Sequence, residues 1–349
     1  MTGLPATVDD LTPAWLSGVL GGEVAAVEVL DHAFATNQRA RLALLPAAGM
    51  HGPVPASVFV KLAPLDAAHR QMIGATGMGE REVRFYADVA GTLDLLVPRC
   101  RHAAAEGDLF VLVLEDLAAR GCRFSDGSWG VGADDAAQAL EELAAFHARF
   151  VDPAERDAVA PWLAAPSRRS SEGTARLMRM VLDQQAGRLA PAYAAVGERY
   201  VEHHAWFDAQ WHGGPQTYIH GDLHIGNVFL DGPRVGFLDW GLSRVSTPLR
   251  DVSYFLTMSV SIDERRAHER SLLQGYLDAL RAAGGPDLAF DDAWAQHRLQ
   301  AAYTVVATFL AYMPSYASGD GVALGDALLE RADAAVEDLE VLDAIDAAR

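Results

Sequence analysis

Lysine is almost missing from this 349-residue chain: of 28 basic side chains, 27 are arginine and one, Lys61, is lysine. An alanine- and arginine-rich composition of this kind replaces lysine wherever either cation serves. A retained ammonium therefore marks a place where the planar guanidinium fork does not serve, unless it persists by chance. Cysteine is scarce too, and Cys100 and Cys122 make neither a disulfide framework nor a CxxC metal pair. No apolar run reaches the roughly 18 residues of a membrane helix, and 304–313 is only a short core-like stretch. The first residues, Met1–Leu11, carry acids where a signal peptide carries positive charge, so the expected location is cytoplasmic. The net charge of -19 argues against nucleic acid as the main partner, because phosphate contacts need clustered cations. No internal repeat or low-complexity linker is found, and no membrane partner is expected.

What is present reads as globular. A 50% hydrophobic and 21% charged composition can bury a real core, and the length suits one large or two ordinary domains. Residues 251–349 hold 17 acids against 7 arginines, so more than half of the net charge lies in the last third. That acid is either a field for a cationic substrate or the commoner alternative, solvated helix faces.

The first part of the chain mixes strand and helix. Ser57–Leu62, bounded by prolines 55 and 64, predicts a strand, and Leu109–Leu114 a second one buried on both sides. Glu80–Ala90 predicts a helix with Val83, Tyr86, Ala87 and Ala90 on one face. After residue 117 the pattern turns mostly helical. Asp134 or Asp135 is the expected cap of a helix bearing Leu140, Leu143, His147 and Phe150. Val196, Tyr200, Phe207 and Trp211 form another stripe, and 291–348 predicts two or more helices. The expected domains are 1–115 and 116–349.

Tyr218–Trp240 interrupts this helical half with short strands and a turn. Asp231-Gly232 between the apolar runs 228–230 and 235–238 is a hairpin signal. Folding about residue 233 pairs 228 with 238 and sets Asn227 opposite Asp239, where an amide oxygen and a carboxylate can share a hard cation such as Mg2+. Asp222 lies five residues before Asn227 in a loop that Gly221 lets turn, and Gly241 lets the chain bend away after Asp239. One carboxylate to receive a hydroxyl proton, with an Asn and a second Asp to hold metal, is the equipment of phosphoryl transfer. A zinc pair of His220 and His224 is disfavoured, since Gly221 argues against the helix that would align them. His203 and His204 have no third ligand nearby in sequence.

His220–Asn227 followed by Leu238-Asp239-Trp240 resembles the signature of the aminoglycoside phosphotransferase and choline kinase-like family. Leu143–Phe150 is similar to a helix of its ecdysteroid-kinase-like or general phosphotransferase branch. The resemblance spans roughly residues 25–256. It implies an α+β, bilobal protein-kinase-like fold, with a small N-lobe containing an antiparallel sheet and a larger, mostly helical C-lobe. It implies Asp222 as catalytic base or hydroxyl-orienting group, Asn227 and Asp239 as metal ligands, and Lys61 on the nucleotide phosphates, positioned by Glu82. The stretch Leu114–Leu117 resembles the hinge whose backbone holds adenine, which makes Glu115 and Leu117 candidates. His220, His224 and Asp251 are expected to support the catalytic loop. The implied cofactors are ATP, with GTP as the alternative, and Mg2+; the implied partner is a small-molecule hydroxyl substrate.

One departure stands out. The glycines of the phosphate-covering loop are missing from 32–38, where Thr36-Asn37 keeps only the polar end of the pattern, so backbone approach to phosphate is restricted. Gly74, Gly77 and Gly79 read as a flexible connection, because no strand leads directly into them. Acceptor-wall candidates are Trp129, Tyr254, Trp294 and Tyr303, though aromatics at helical spacing are more often core. Aminoglycosides, macrolides and other secondary metabolites fit the resemblance as acceptors. The alternatives are a nucleotide-binding regulatory protein, supported only by the altered loop, or a nucleotidyl transferase on the same scaffold.

Overall fold

The computed structural model describes residues 3–34, 36–47, 54–164, 170–309 and 321–349; Ala35 and residues 310–313, both within stretches singled out above, lie outside them. The chain divides into two compact units, Met1–Arg123 with Leu238–Leu242, and Phe124–Phe237 with Ser243–Arg349. The short return of Leu238–Leu242 to the first unit carries Asp239 with it.

The first unit contains α1 (Pro13–Leu20), β1 (Val24–Phe34), β2 (Gln38–Pro46), β3 (Ser57–Leu62), α2 (Ala67–Thr76), α3 (Met78–Arg84), β4 (Cys100–Glu106) and β5 (Leu109–Glu115). Its strands form an antiparallel sheet in the order β1-β2-β3-β5-β4. The period-two alternation of β3 sends Val58, Val60 and Leu62 into a core with Leu16, Leu42 and Val113, and turns Lys61 to the opposite face. The strands expected at 57–62 and 109–114 are present.

The helix expected over 80–90 changes character on the way. It is α-helical to Arg84, π-helical over Phe85–Val89 and 3-10 over Ala90–Thr92. A π turn holds extra residues per turn and so rotates the faces of the residues after it. As a result Phe85 and Val89 are buried, while Ala87, expected on the apolar face, is exposed.

The two-residue β6 (Arg123–Phe124) lies at the chain junction. The second unit contains α4 (Ala133–Arg149), α5 (Pro153–Val159), α6 (Ser171–Gln184), α7 (Pro191–Trp211), β7 (Thr217–Ile219), β8 (Val228–Asp231), β9 (Arg234–Phe237), β10 (Arg244–Ser246), α8 (Pro248–Met258), α9 (Ile262–Ala282), α10 (Phe290–Thr308), α11 (Gly321–Asp338) and α12 (Val341–Ala348). Met178, Val196, Phe207, Leu299, Val305 and Val336 lie in one core. Gly132, not an aspartate, caps α4; Asp134 and Asp135 fall in its first turn, where carboxylates still favour the helix dipole.

The hairpin register also differs from expectation. Val228 pairs with Phe237 and Asp231 with Arg234, so the turn is the two residues Gly232-Pro233. Gly232 takes φ +60, as the first position of a tight hairpin turn requires. An even-numbered turn shifts the alignment by one residue, and continued outward it would match 227 with 238 instead of 239. A sheet-bearing unit and a mostly helical unit make up the bilobal α+β, kinase-like class that the sequence predicts. No helix among the described residues is long and apolar enough to cross a membrane.

Candidate active site

Lys61 is the centre of a buried charge cluster in the first unit. Its Nζ lies 2.6 Å from Glu82 Oε2 on α3 and 2.9 Å from Asp239 Oδ2, with Arg39 3.9 Å from the same Asp239 oxygen. Lys61 is 5% exposed and Glu82 3%. Burial works against the ammonium, but the charges of Asp239 and Glu82 overcome it and raise the Lys61 pKa. Glu82 is pushed up to about 7, by burial first and by Asp239 in addition, against the pull of Lys61. Two carboxylates thus share one ammonium. An ammonium reaching both suits this slot better than a wider guanidinium fork, which gives the lone lysine a physical reason.

The segment carrying Asp239 is clamped onto α3. Trp240 stacks on Phe85 with centroids 3.9 Å apart and rings within 6° of parallel. Arg81 Nη1 donates to the Gly241 carbonyl at 2.9 Å. Gly241 was expected to free a bend, but its φ is not left-handed; it permits close approach, since a Cβ there would sit 3.2 Å from the Met78 carbonyl oxygen. Asp239 itself adopts φ +59, a left-handed conformation that aspartate tolerates better than most residues.

Asn37 is buried just before β2, accepts a hydrogen bond from Arg39 Nε at 3.2 Å, and lines a cavity of about 370 Å³ with Phe34, Gln38 and Pro64. At the expected hinge, the Glu115 N–H donates to the Arg99 carbonyl at 2.8 Å and the Leu117 carbonyl accepts from Cys122 N–H at 3.0 Å. Between them Asp116 is held bidentately by Arg41, at 3.1 Å twice, a pair that sequence reasoning missed.

In the second unit, Asp222 and Asn227 are brought together. Asn227 Nδ2 donates to the Asp222 carbonyl at 2.9 Å and to Asp222 Oδ2 at 3.0 Å. Both histidines spend Nδ1 on this loop's backbone. His220, fully buried, accepts from Asp222 N–H at 3.2 Å, and His224 accepts from Gly226 N–H at 3.1 Å. His224 Nε2 then lies 3.7 Å from Asp222 Oδ2.

Asp251, on α8, anchors the loop from beneath. Its Oδ2 accepts from His220 N–H at 2.6 Å and its Oδ1 from Gly221 N–H at 2.7 Å. His147 Nε2 stands 3.3 Å from Oδ2, and His147 Nδ1 lies 2.9 Å from the Tyr276 hydroxyl. Burial alone would raise the Asp251 pKa, but His147, His220 and the Gly221 N–H hold it below the usual carboxylate value. Sequence reasoning placed His147 on an apolar face and missed this contact; a histidine in an otherwise apolar stripe was the signal.

The oxygen donors fit a hard divalent ion. With Nδ2 committed to Asp222, Asn227 has Oδ1 left to offer, and Asp239 offers a carboxylate. Among the described residues no group of three or more His, Cys, Asp or Glu could hold a metal. An ion at either residue would complete its shell from water and phosphate oxygens, the habit of Mg2+. Of the wall candidates, Tyr254 and Tyr303 pack together at 5.5 Å. Trp294 instead packs against His297 and Phe290, and the Trp129 carbonyl accepts from Ser125 Oγ.

These units define the kinase-like phosphotransferase fold. The chain belongs to the ecdysteroid kinase-like family, whose profile matches residues 45–284, more than half of its length. Among solved structures it is similar to a presumed aminoglycoside phosphotransferase from Ralstonia eutropha, with a TM-score of 0.56 and 16% identity over 94% of this chain and 97% of that one. It is similar also to spectinomycin phosphotransferase APH(9)-Ia, solved with ADP and spectinomycin (TM-score 0.53, 12% identity, 96% and 100% covered). Choline kinase LicA from Streptococcus pneumoniae is a third (TM-score 0.52, 13% identity, 95% and 98% covered). At these identities the likeness speaks to fold alone. No curated protein sequence matches the chain significantly.

Proposed function

We propose that this protein is an ATP- and Mg2+-dependent kinase that transfers the γ-phosphoryl group to a hydroxyl of a small molecule. The observation that carries the reading is the contact of Lys61 with both Glu82 and Asp239, three residues drawn from separate stretches into one cluster around a buried ammonium. Family membership and a fold shared with a choline kinase and an ADP-bound spectinomycin phosphotransferase support it.

Each residue then has a task. Asp222 accepts the proton of the acceptor hydroxyl as its oxygen bonds to the γ-phosphorus and the bond to the ADP leaving group breaks. Asn227 fixes the Asp222 carboxylate. Lys61, held by Glu82, neutralises phosphate charge. Asn227 Oδ1 and the Asp239 carboxylate are each assigned to Mg2+, which when bound would offset the negative charge of the transferring phosphoryl group. His220, His224 and Asp251 keep the loop in place. Asn37 and the backbone at Glu115 and Leu117 are assigned to the nucleotide side.

The test is a screen of hydroxyl compounds with Mg-ATP and, in parallel, Mg-GTP, read by mass as the gain of one phosphoryl group. Product with ATP supports the reading. Nucleotide binding with no phosphorylated product across a broad screen would favour a regulatory binding protein, and gain of a nucleotidyl group would favour nucleotidyl transfer.

A further inference from the structure

Two buried arginines of the second unit, Arg250 and Arg331, have no ion pair among the described residues, and of the two only Arg331 reaches backbone carbonyls there. Arg250, in the first turn of α8, is 5% exposed, and its Nη1 is buried with no hydrogen-bond partner among the described residues. No ion pair joins it to a carboxylate there. The guanidinium carbon instead lies 3.3 Å from the ring centroid of Tyr303 and 5.5 Å from that of Trp211. Arg265, buried to 1%, shows the usual alternative, being paired with Glu269 and Asp338.

The surroundings add positive charge. Burial, then the charges of Arg250 and Arg244, push His212 down to about 3. A guanidinium cannot shed its proton, and an ion removed from water without a counter-charge is among the costliest things a protein interior can hold. A water molecule could satisfy the N–H but not the charge.

The position connects this charge to the catalytic loop. Arg250 and Tyr254 lie on one face of α8, one turn or roughly 6 Å apart along the axis. The Tyr303 ring touches both, covering the guanidinium and standing 5.5 Å from Tyr254. Tyr254 in turn lies 6.5 Å, ring to ring, from His224. Its hydroxyl pKa is raised by burial and then by the charge of Asp222. A wall of α8 and α10 side chains therefore runs from the Asp222 loop to Arg250.

We propose that Arg250 is a specificity-determining residue of the acceptor site and receives an oxyanion, a carboxylate in the first instance, carried by the same molecule whose hydroxyl meets Asp222. This rests on the assignment of Asp222 given above. Guanidinium and carboxylate match in shape as well as charge. Acceptors are then hydroxy acids, and the same charge rejects cationic alcohols and amino sugars.

Thermal unfolding of the full chain without nucleotide reads binding separately from phosphotransfer. The probes are gluconate, glycerate, quinate and 3-hydroxybenzoate, each beside its primary amide. At saturation at least one acid should raise Tm by about 4 °C while its amide does not. Arg250→Gln should abolish the shift and Arg250→Lys should keep part of it. Arg250→Met, which removes the uncompensated charge but keeps contact with Tyr303, should melt no lower than the wild type. The proposal is overturned if no acid outperforms its amide, or if Arg250→Gln responds to acids as the wild type does. A large fall in Tm for Arg250→Met would likewise overturn it, making the residue structural. Acid binding without phosphotransfer would sink the kinase reading and leave the oxyanion site standing.

Discussion

Replacing Lys61 with methionine removes the ammonium that lies 2.6 Å from Glu82 and 2.9 Å from Asp239. Deleting one partner of a buried pair costs ~3–5 kcal/mol. The low end applies here, because Asp239 is a quarter exposed and keeps Arg39 at 3.9 Å. Glu82, already at about 7, can also escape its charge by taking up a proton. We expect a loss of about 3 kcal/mol at pH 8 and less at pH 6.

Linkage sets the sign of this pH dependence. Lys61 lowers the Glu82 pKa, so its removal sends that pKa above 7, against 4.5 for the unfolded chain. Across that window the folded state binds a proton that the unfolded state does not. Stability therefore falls as pH rises, by up to ~1.4 kcal/mol per pH unit. Urea unfolding of the first unit's transition, followed by circular dichroism at pH 6 and pH 8, measures both effects. The double variant Lys61→Met, Glu82→Gln removes the stranded charge and should return to within about 1 kcal/mol of the wild type. A double variant as unstable as the single one, or a deficit that does not grow from pH 6 to pH 8, would refute the assignment.

Two other stability predictions are simpler. Asp251→Asn weakens the charge-assisted acceptance of the His220 and Gly221 N–H groups and should cost about 2 kcal/mol at pH 7. Because the folded-state pKa of Asp251 is depressed, its contribution is present above the unfolded value and lost as pH falls through the folded one. The gap between wild type and variant, followed by urea titration, should therefore close below about pH 4. Gly236→Ala places a Cβ against the ring of Phe229, which is fully buried and cannot swing away, and should cost about 2 kcal/mol by overpacking. An unchanged Tm would contradict the packing described for the hairpin.

Much of the first unit was legible because its signals are local. β-Branched alternation gave the strand at 57–62, and the shortage of lysine singled out Lys61 before any contact was known. The hairpin was legible in kind but not in register, because Asp231-Gly232-Pro233-Arg234 accommodates turns of different parity and only the left-handed Gly232 in the folded chain decides between them. The π turn after Arg84 was not legible; Phe85, where it begins, stacks on Trp240, a residue 155 positions away in sequence that no local pattern links to it. Arg250 carries no signal of its own in the sequence. Its isolation is a property of burial, which periodicity does not report.

The Asp222→Asn variant tests the central claim most directly, using an acceptor found by the mass screen. Turnover should fall by roughly 10²–10⁴-fold, the usual worth of a general base. Meanwhile the Kd for Mg-ATP, measured by calorimetry, should change by no more than about twofold, well under 1 kcal/mol. Turnover within about tenfold of the wild type, or ATP affinity lost in step with turnover, would contradict phosphoryl transfer at Asp222.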